Sequence, residues 1–376
     1  MMIAGGVSIR SLGFLLTFQW LCCEFSQAFV SVHHSPIYGT SSSRKRLVLS
    51  TDDENHVQSS SSSALLQVIK TMPLLSDAGR AFHGRGGSFP GCEHLTLDWL
   101  GPVWLLTSFI ELSDDELLEI GDALHVRWAE LQVDLPPSSE QPLHLNWVYQ
   151  CRADGAKTFT KLMAGEVPDP HIITENGLQY AVKILHGKNH GIFLDMRHGR
   201  AWVQEHAKDQ IILNLFAYTC AFSVAALQGG AMEVINIDMA QGPLKIGQRN
   251  HQLNKFDAGA RFMAHDIFKT WGKIRKLGPY GIIVVDPPTF QKGSFIAKKD
   301  YIKILRRLPS FLEPDGLVLL CLNAPELDTE FLKGQVAEAA PELEFVERLE
   351  NPSSFASKDL EKALKVLVYK MTVVSA

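Results

Sequence analysis

From residue 197 onward two hydrophobic periods alternate along the chain. Amphipathic stretches at 197–208, 221–227, 241–253, 268–276, 299–312 and 327–339 separate apolar runs at 211–215, 233–238, 260–264, 281–285 and 317–321. The longer stretches suit helices, and the short bounded runs suit buried strands. This alternation predicts an α/β fold with a doubly wound, mostly parallel sheet and right-handed crossovers. The last two strand segments, 344–349 and 363–370, have no helix between them, so one of the two runs antiparallel.

Upstream the pattern changes. Leu95 to Phe109 is dense in Leu, Trp and Val and predicts strands. Leu117, Leu118, Ile120, Leu124, Trp128 and Leu131 recur at helical spacing over 114–131. Ser113 is the expected N-cap, with Glu116 completing a capping box. These elements predict a small α+β domain over 64–143, closed by the turn-rich Pro136 to Pro142. A β-rich lead-in follows over 144–195. Its strands are expected at 144–151, 158–163, 179–185 and 191–195, with hairpin-type turns at Ala153-Asp-Gly155 and Glu175-Asn-Gly177.

The N-terminus reads as an address. Arg10 precedes the apolar run Ser11 to Cys23, which is too short to span a bilayer comfortably, and Ser26 and Ala28 occupy −3 and −1 of a cleavage point. Residues 1–28 are therefore expected to be a signal sequence, with a short membrane anchor as the competing reading. Residues 29–63 hold Arg44-Lys-Arg46 and the serine run 59–63, and their low hydrophobicity predicts disorder. Phe29 followed by a Ser-rich basic stretch resembles the two-part plastid presequence of algae with secondary plastids, which implies a plastid location. Asp52-Asp-Glu54 departs from that pattern unless the transit region ends before it. Another organelle or the secretory pathway is the alternative, and no membrane association is expected of the mature form.

Composition narrows the class. Hydrophobic residues at 46% and charged residues at 20% are ordinary for a globular protein. A net charge of −5 argues against binding a polyanion by bulk charge and leaves a local basic groove open. Cys22 and Cys23 fall in the apolar leader, and Cys92, Cys151, Cys220 and Cys321 are scattered without a CxxC pair. That spacing argues against structural zinc or a disulfide framework, and so against secretion.

In a doubly wound sheet, ligands bind beyond the carboxyl ends of the strands. The first strand ends in Asn214-Leu-Phe-Ala-Tyr-Thr-Cys220, without any glycine. The GxGxxG fingerprint that lets backbone approach a pyrophosphate is missing, which disfavours a nicotinamide dinucleotide. Asp238 ends the second strand, where a carboxylate can accept from both hydroxyls of a ribose. Asp266 ends the third and can accept from an adenine amino group, although the same position suits a helix cap. Asp286-Pro-Pro-Thr-Phe290 ends the fourth. Its two prolines remove two N–H donors and stiffen a platform, and Phe290 can stack on a base.

Together with Arg249-Asn250, Asn254 and Gly191-Ile-Phe-Leu-Asp-Met-Arg197, these segments resemble class I methyltransferases related to bacterial large-subunit ribosomal RNA methyltransferases. That family modifies guanine N7 or cytosine C5. The resemblance covers roughly residues 80–370. Phe82-His-Gly-Arg-Gly-Gly-Ser-Phe-Pro-Gly91 and Gln291 to Phe295 are closer still to one bacterial subgroup. It implies a Rossmann-like seven-stranded fold, S-adenosylmethionine as cofactor and RNA as partner. It also implies that Arg197, Asn214, Phe216, Tyr218, Thr219, Asp238, Met239, Asp266 and Ile267 form the cofactor site. Within that site Arg197 would meet the methionine carboxylate. Asp286, Pro287, Pro288 and Phe290 would orient the acceptor base. Met196 stands where the family usually has Gln, and Cys220 where many methyltransferases have Gly.

Methyl transfer to a ring nitrogen needs placement alone, whereas cytosine C5 needs a thiolate to add at C6. Cys321 lies about two residues before the position expected for that nucleophile, and Asn323 is better placed to face the cleft. A nitrogen acceptor is therefore expected. Cytosine C5 through Cys321, or a non-enzymatic RNA-binding protein on a methyltransferase scaffold, are the alternatives. The Phe82 to Gly91 segment, with His83, Arg85 and four glycines, can hold phosphate or form a plain surface loop.

Overall fold

The computed structural model describes residues 62–133, 144–153, 158–291 and 295–372. The expected signal segment, the transit segment as far as residue 61 and the Pro136 to Pro142 connector lie outside the described residues, as does part of the 153–155 turn.

The small lobe begins with α1 (Ser63–Thr71), a helix the hydrophobic pattern did not single out, which buries Leu65, Leu66 and Ile69. It continues through β1 (Gly79–His83), β2 (Leu95–Leu100), β3 (Val103–Ser108), α2 (Asp114–Val133), β4 (Trp147–Cys151) and β5 (Phe159–Ala164). The capping box of α2 forms as expected. Glu116 N donates to Ser113 Oγ at 3.2 Å, and Ser113 N donates to Glu116 Oε2 at 2.9 Å. Leu117, Ile120, Leu124, Trp128 and Leu131 are buried, whereas Leu118 is exposed. The strands form one sheet in the order β1-β2-β3-β4-β5. β3 and β4 are parallel, so α2 is their crossover. This corrects the expected boundary at 143/144: β4 and β5 complete the small lobe's sheet. Their partner strand lies beyond α2, a non-local pairing that no local pattern reveals.

A hairpin follows, β6 (His171–Glu175) and β7 (Leu178–Val182). Its turn, Asn176-Gly177, takes positive φ at both residues (50° and 76°), the two-residue geometry that matches strand twist. The strand expected at 191–195 is instead a 3-10 turn, Leu194–Met196, running into α3 (Arg197–His206). Gly191 at φ +116° turns the chain out of an extended path, and a Cβ there would meet the Ala181 carbonyl oxygen at 2.8 Å.

The large lobe comprises β8 (Ile211–Leu215), α4 (Ala221–Gln228), β9 (Glu233–Asp238), α5 (Gln241–Leu253), β10 (Ala260–Ala264), α6 (Trp271–Leu277) and β11 (Tyr280–Val285). A short hairpin, β12 (Phe290–Gln291) and β13 (Phe295–Ile296), leads to α7 (Ala297–Leu305). β14 (Leu312–Leu322), α8 (Thr329–Ala339), β15 (Leu343–Leu349) and β16 (Lys365–Met371) complete it. Among the described residues, seven strands make one sheet in the order β10-β9-β8-β11-β14-β16-β15. β16 is antiparallel to both neighbours, and the other pairings are parallel. The chain reverses its direction of winding between β8 and β11, so a crevice opens there. Both central strands are buried on two faces. Leu213, Leu215, Ile283 and Val285 join one core, and Ile212, Ile282 and Val284 join the other.

One polar chain runs through this apolar centre. Asn214 Nδ2 donates to Asn236 Oδ1 (2.9 Å), Asn236 Nδ2 to Ser223 Oγ (2.9 Å), and Ser223 Oγ lies 2.8 Å from His251 Nε2. His251 Nδ1 lies 2.7 Å from Gly247 O, so the ring donates there and accepts from Ser223. Burial holds His251 below its ordinary value, consistent with a neutral ring. The chain ties β8, β9, α4 and α5 together directly beneath the crevice, with these buried groups partnered.

Candidate active site

At the carboxyl ends of β8 to β11 and β14 a cavity of about 530 Å³ opens. Its base is the turn Phe216–Cys220. Phe216, Tyr218 and Cys220 all adopt left-handed backbone (φ 58°, 47° and 59°). That conformation costs non-glycine residues roughly 1–2 kcal/mol each, so surrounding contacts must enforce it. Several do. Ala217 N donates to Ile237 O (3.0 Å), Tyr218 N to Asp238 Oδ2 (2.9 Å), and Thr219 Oγ1 to Gly191 O. Asn250 Nδ2 donates to Thr219 O (3.0 Å) while its Oδ1 accepts from Ala181 N (2.9 Å), clamping the turn to β7. Asn254 makes a two-way pair with the Gln179 backbone at 2.7 and 2.8 Å. The absence of glycine from this turn, which in the sequence disfavours a pyrophosphate loop, thus coincides with an uncommon backbone course.

Asp238 and Asp266 both line the cavity. Asp238 Oδ1 accepts from Ala240 N (2.8 Å) and Oδ2 from Tyr218 N, which fixes the carboxylate and leaves each oxygen a further lone pair. Asp266 caps the 3-10 turn Ile267–Lys269 through Phe268 N (2.9 Å) and also lines the cavity, so its two candidate roles coexist. Phe216, Tyr218, Thr219, Met239 and Ile267 supply further wall.

On the opposite side stand Asp286, Pro287, Pro288 and Asn323. Thr289 Oγ1 donates to Asn323 O and so joins the loop after β11 to the loop after β14. Phe290 opens β12, and its side chain lies outside the described residues. The Asp286 carboxyl is pushed up to about 7, chiefly by burial and secondarily by the charge of Asp195, with Arg200 opposing.

Asp195 and Arg200 carry no role in the sequence reading, yet both line the cavity. Asp195 sits inside the Gly191–Arg197 segment that carries the resemblance, and that position was its only signal. Its carboxyl is raised by burial, against the pull of Arg80 and Arg200. Arg200 pairs in a fork with Glu175 on β6 at 2.7 and 2.7 Å, both side chains almost fully buried, and donates to Phe193 O (2.9 Å). No local pattern announced Arg200, because its partner belongs to another element.

Two expected cofactor residues lie elsewhere. Arg197 does not line the cavity: its guanidinium bonds Asp77 Oδ2 and Asn176 Oδ1, each at 2.6 Å, and joins the lobes. Asn214 is buried in β8 and belongs to the polar chain below the turn. Cys321 is fully buried and does not line the cavity. Its thiol is pushed well above its ordinary value by burial, with Asp286 and Asp195 adding to the effect. Among the described residues Cys92, Cys151, Cys220 and Cys321 carry no disulfide.

The donor set describes its ligand. A fixed carboxylate suits a vicinal diol, and a second carboxylate beside Ile267 suits a flat amino-substituted ring. Asp195 and Asp286 favour a nearby cation. A phosphate-free sulfonium nucleoside fits all of these requirements, so the residues present suit S-adenosylmethionine.

Comparison with known proteins agrees. Residues 79–370 match the S-adenosylmethionine-dependent methyltransferase family. Ribosomal RNA large subunit methyltransferase I of Tolumonas auensis is 38% identical over 196 residues, covering 50% of this chain and 49% of its own. The protein of that name from Aeromonas salmonicida is 34% identical over 195 residues, again covering 50% and 49%. The chain thus spans about half the length of these curated relatives. A solved methyltransferase complexed with SAH is 28% identical, with a TM-score of 0.66 over 79% of this chain and 76% of that one. A Streptococcus mutans structure described as S-adenosylmethionine-dependent gives the same figures. A tRNA m1G37 methyltransferase of M. jannaschii, 18% identical with a TM-score of 0.51 over 74% of each chain, shares the fold.

Proposed function

The chain belongs to the S-adenosylmethionine-dependent methyltransferases, and we propose that it methylates a ring or exocyclic nitrogen of a base in RNA, ribosomal RNA foremost. The observation that carries this reading is the meeting of two residue sets in one cavity. Asp238 and Asp266 belong to the cofactor side, and Asp286, Pro287, Pro288 and Asn323 belong to the acceptor side. When bound, S-adenosylmethionine supplies an electrophilic methyl group. Asp238 would hold the ribose and Asp266 with Ile267 the adenine. Asp286 and Asn323 would hydrogen-bond the base edge, on a loop the prolines keep stiff. If the acceptor is an amino nitrogen, it must lose a proton, and a carboxylate whose ordinary value has been raised is a suited acceptor.

Nitrogen is favoured over cytosine C5 because Cys321 lies buried outside the cavity, and its thiolate is disfavoured there. RNA as substrate is supported by the curated relatives named as ribosomal RNA methyltransferases. A plastid location rests on the presequence resemblance alone.

The test compares ribosomal RNA from cells with and without the protein by mass spectrometry of nucleosides. Loss of one methylated base, with the methyl on nitrogen, is expected, and complementation with Cys321→Ser should restore it. Loss of 5-methylcytosine, restored by wild type but not by Cys321→Ser, would replace this reading with the C5 mechanism.

A further inference from the structure

The chain is acidic overall, at −5, yet Arg80, Arg85 and Arg152 gather in the small lobe. Arg80, Arg85 and Arg152 are close enough to act on one another's neighbours. Arg152 is held below its ordinary value by burial, with Asp98 opposing and Arg80 and Arg85 adding to the push. His83 is pushed down to about 4 by burial first and then by Arg80, with Asp98 opposing and Arg85 adding. Both oxygens of Asp98 are held by Arg80, at 2.7 and 3.0 Å. The partners of the Arg152 guanidinium are neutral: Gln150 Oε1, Lys188 O and the ring of His190 at 3.2 Å. The Arg152 guanidinium is therefore oriented without a carboxylate bonded to it.

The patch is also built. Arg85 sits in the 3-10 turn Gly84–Gly86, wedged between the lobes. A Cβ at Gly84 would overlap the carbonyl oxygen of Cys92, and one at Gly86 that of Ala356. Gly86 O accepts from Lys358 N at 2.9 Å. Arg85 is thus presented from a fixed turn, exposed, with its guanidinium 4.1 Å from the ring centroid of Phe109. Arg152 is linked to the cavity through its partners. Arg152 holds Lys188 O and His190, and Asn189 between them lines the cavity.

We propose that Arg85, Arg152 and the exposed Lys188 form a phosphodiester-binding rim that receives the RNA strand flanking the target base. This rests on the RNA reading of the same cavity. Cations next to a cavity that accepts a base suit a polyanionic strand, and Arg152, whose guanidinium bonds neutral partners, is pre-oriented for phosphate. Such a rim divides the labour between the lobes, the small one positioning the strand while the large one holds the cofactor.

The test uses the full chain and a fluorescein-labelled hairpin RNA with all four bases in its loop, titrated by anisotropy at several salt concentrations. S-adenosylmethionine affinity is measured in parallel by calorimetry. Arg85→Gln with Arg152→Gln should weaken RNA binding about tenfold. It should also flatten the slope of log affinity against log salt by about 1.4, from about 0.7 for each phosphate on a single strand. Cofactor affinity should stay unchanged. Because Arg152 also braces 188–190, the exposed Arg85→Glu and Lys188→Gln are made separately, and each should weaken RNA binding alone. Wild-type protein that binds the RNA while Arg85→Glu and the double variant bind it equally well would overturn the rim and leave the RNA reading standing. Wild-type protein that fails to bind RNA would overturn both.

Discussion

Asp286 keeps a carboxyl group where its charge is costly. Burial and the neighbouring charge of Asp195 raise it from 3.8 to about 7, and only Arg200 eases the cost. The folded protein therefore holds this proton more tightly than the unfolded chain does. Its contribution to stability is fully present below about pH 4 and is lost as pH rises toward 7. The rate of methylation should rise through about pH 7 as the carboxylate forms. Asp286→Asn should lose about 100-fold or more of that rate, comparable with removing one positioned catalytic group. The same variant should melt no lower than wild type at about pH 8, having shed the buried charge. A rate profile for wild type that is flat across this range would remove Asp286 from the proton path. The residue itself was legible, because two prolines after a strand end are hard to read otherwise. Its environment was not, since Asp195 and Arg200 arrive from the segment before β8 and from α3. Arg197 shows the converse: a guanidinium in a resembled segment was read toward the ligand, and Asp77, far off in sequence, claims it.

Among the elements, those of the large lobe were the most legible. The ranges 211–215, 233–238, 241–253 and 260–264 coincide with β8, β9, α5 and β10 because each has a period set by its own burial. α1, β1 and β6 were missed, and 191–195 was misread, because segments of five to nine residues carry too little period to outweigh their neighbours. What α5 does was also hidden. Gly247 lies in this helix, and a Cβ there would come within 2.5 Å of Cys220 Sγ and 3.0 Å of Cys220 Cβ. In an exposed helix, Gly→Ala stabilises by roughly 1 kcal/mol. Here Gly247→Ala should do the reverse, displacing the left-handed Cys220 and with it the turn that carries Tyr218. Calorimetry should show S-adenosylmethionine bound about tenfold more weakly, and the melting temperature should fall. A variant that melts higher and binds the cofactor as before would mean that the turn yields without consequence.

At the scale of the whole molecule, the two lobes are one working unit. Arg197 bonds Asp77, Arg80 lies 4.3 Å over the Phe355 ring, and Lys358 N donates to Gly86 O. The first 28 residues should be absent from the native protein, on the strength of the apolar run after Arg10 and the small residues Ser26 and Ala28. N-terminal sequencing of protein from its own cells should find a start at Phe29 or beyond, and a start at Met1 would end the presequence reading. The order of strands in the large sheet bears on a different matter, the timing of assembly during synthesis. β16, made after β15, lies inside the sheet between β14 and β15. A nascent chain that has emerged only through residue 349 has β15 with no strand to pair with, and β14 with one edge open. The edge of β14 closes, and β15 finds its place, only when residues 365–371 are free to insert, so chaperone protection of exposed strand edges matters most in that last interval.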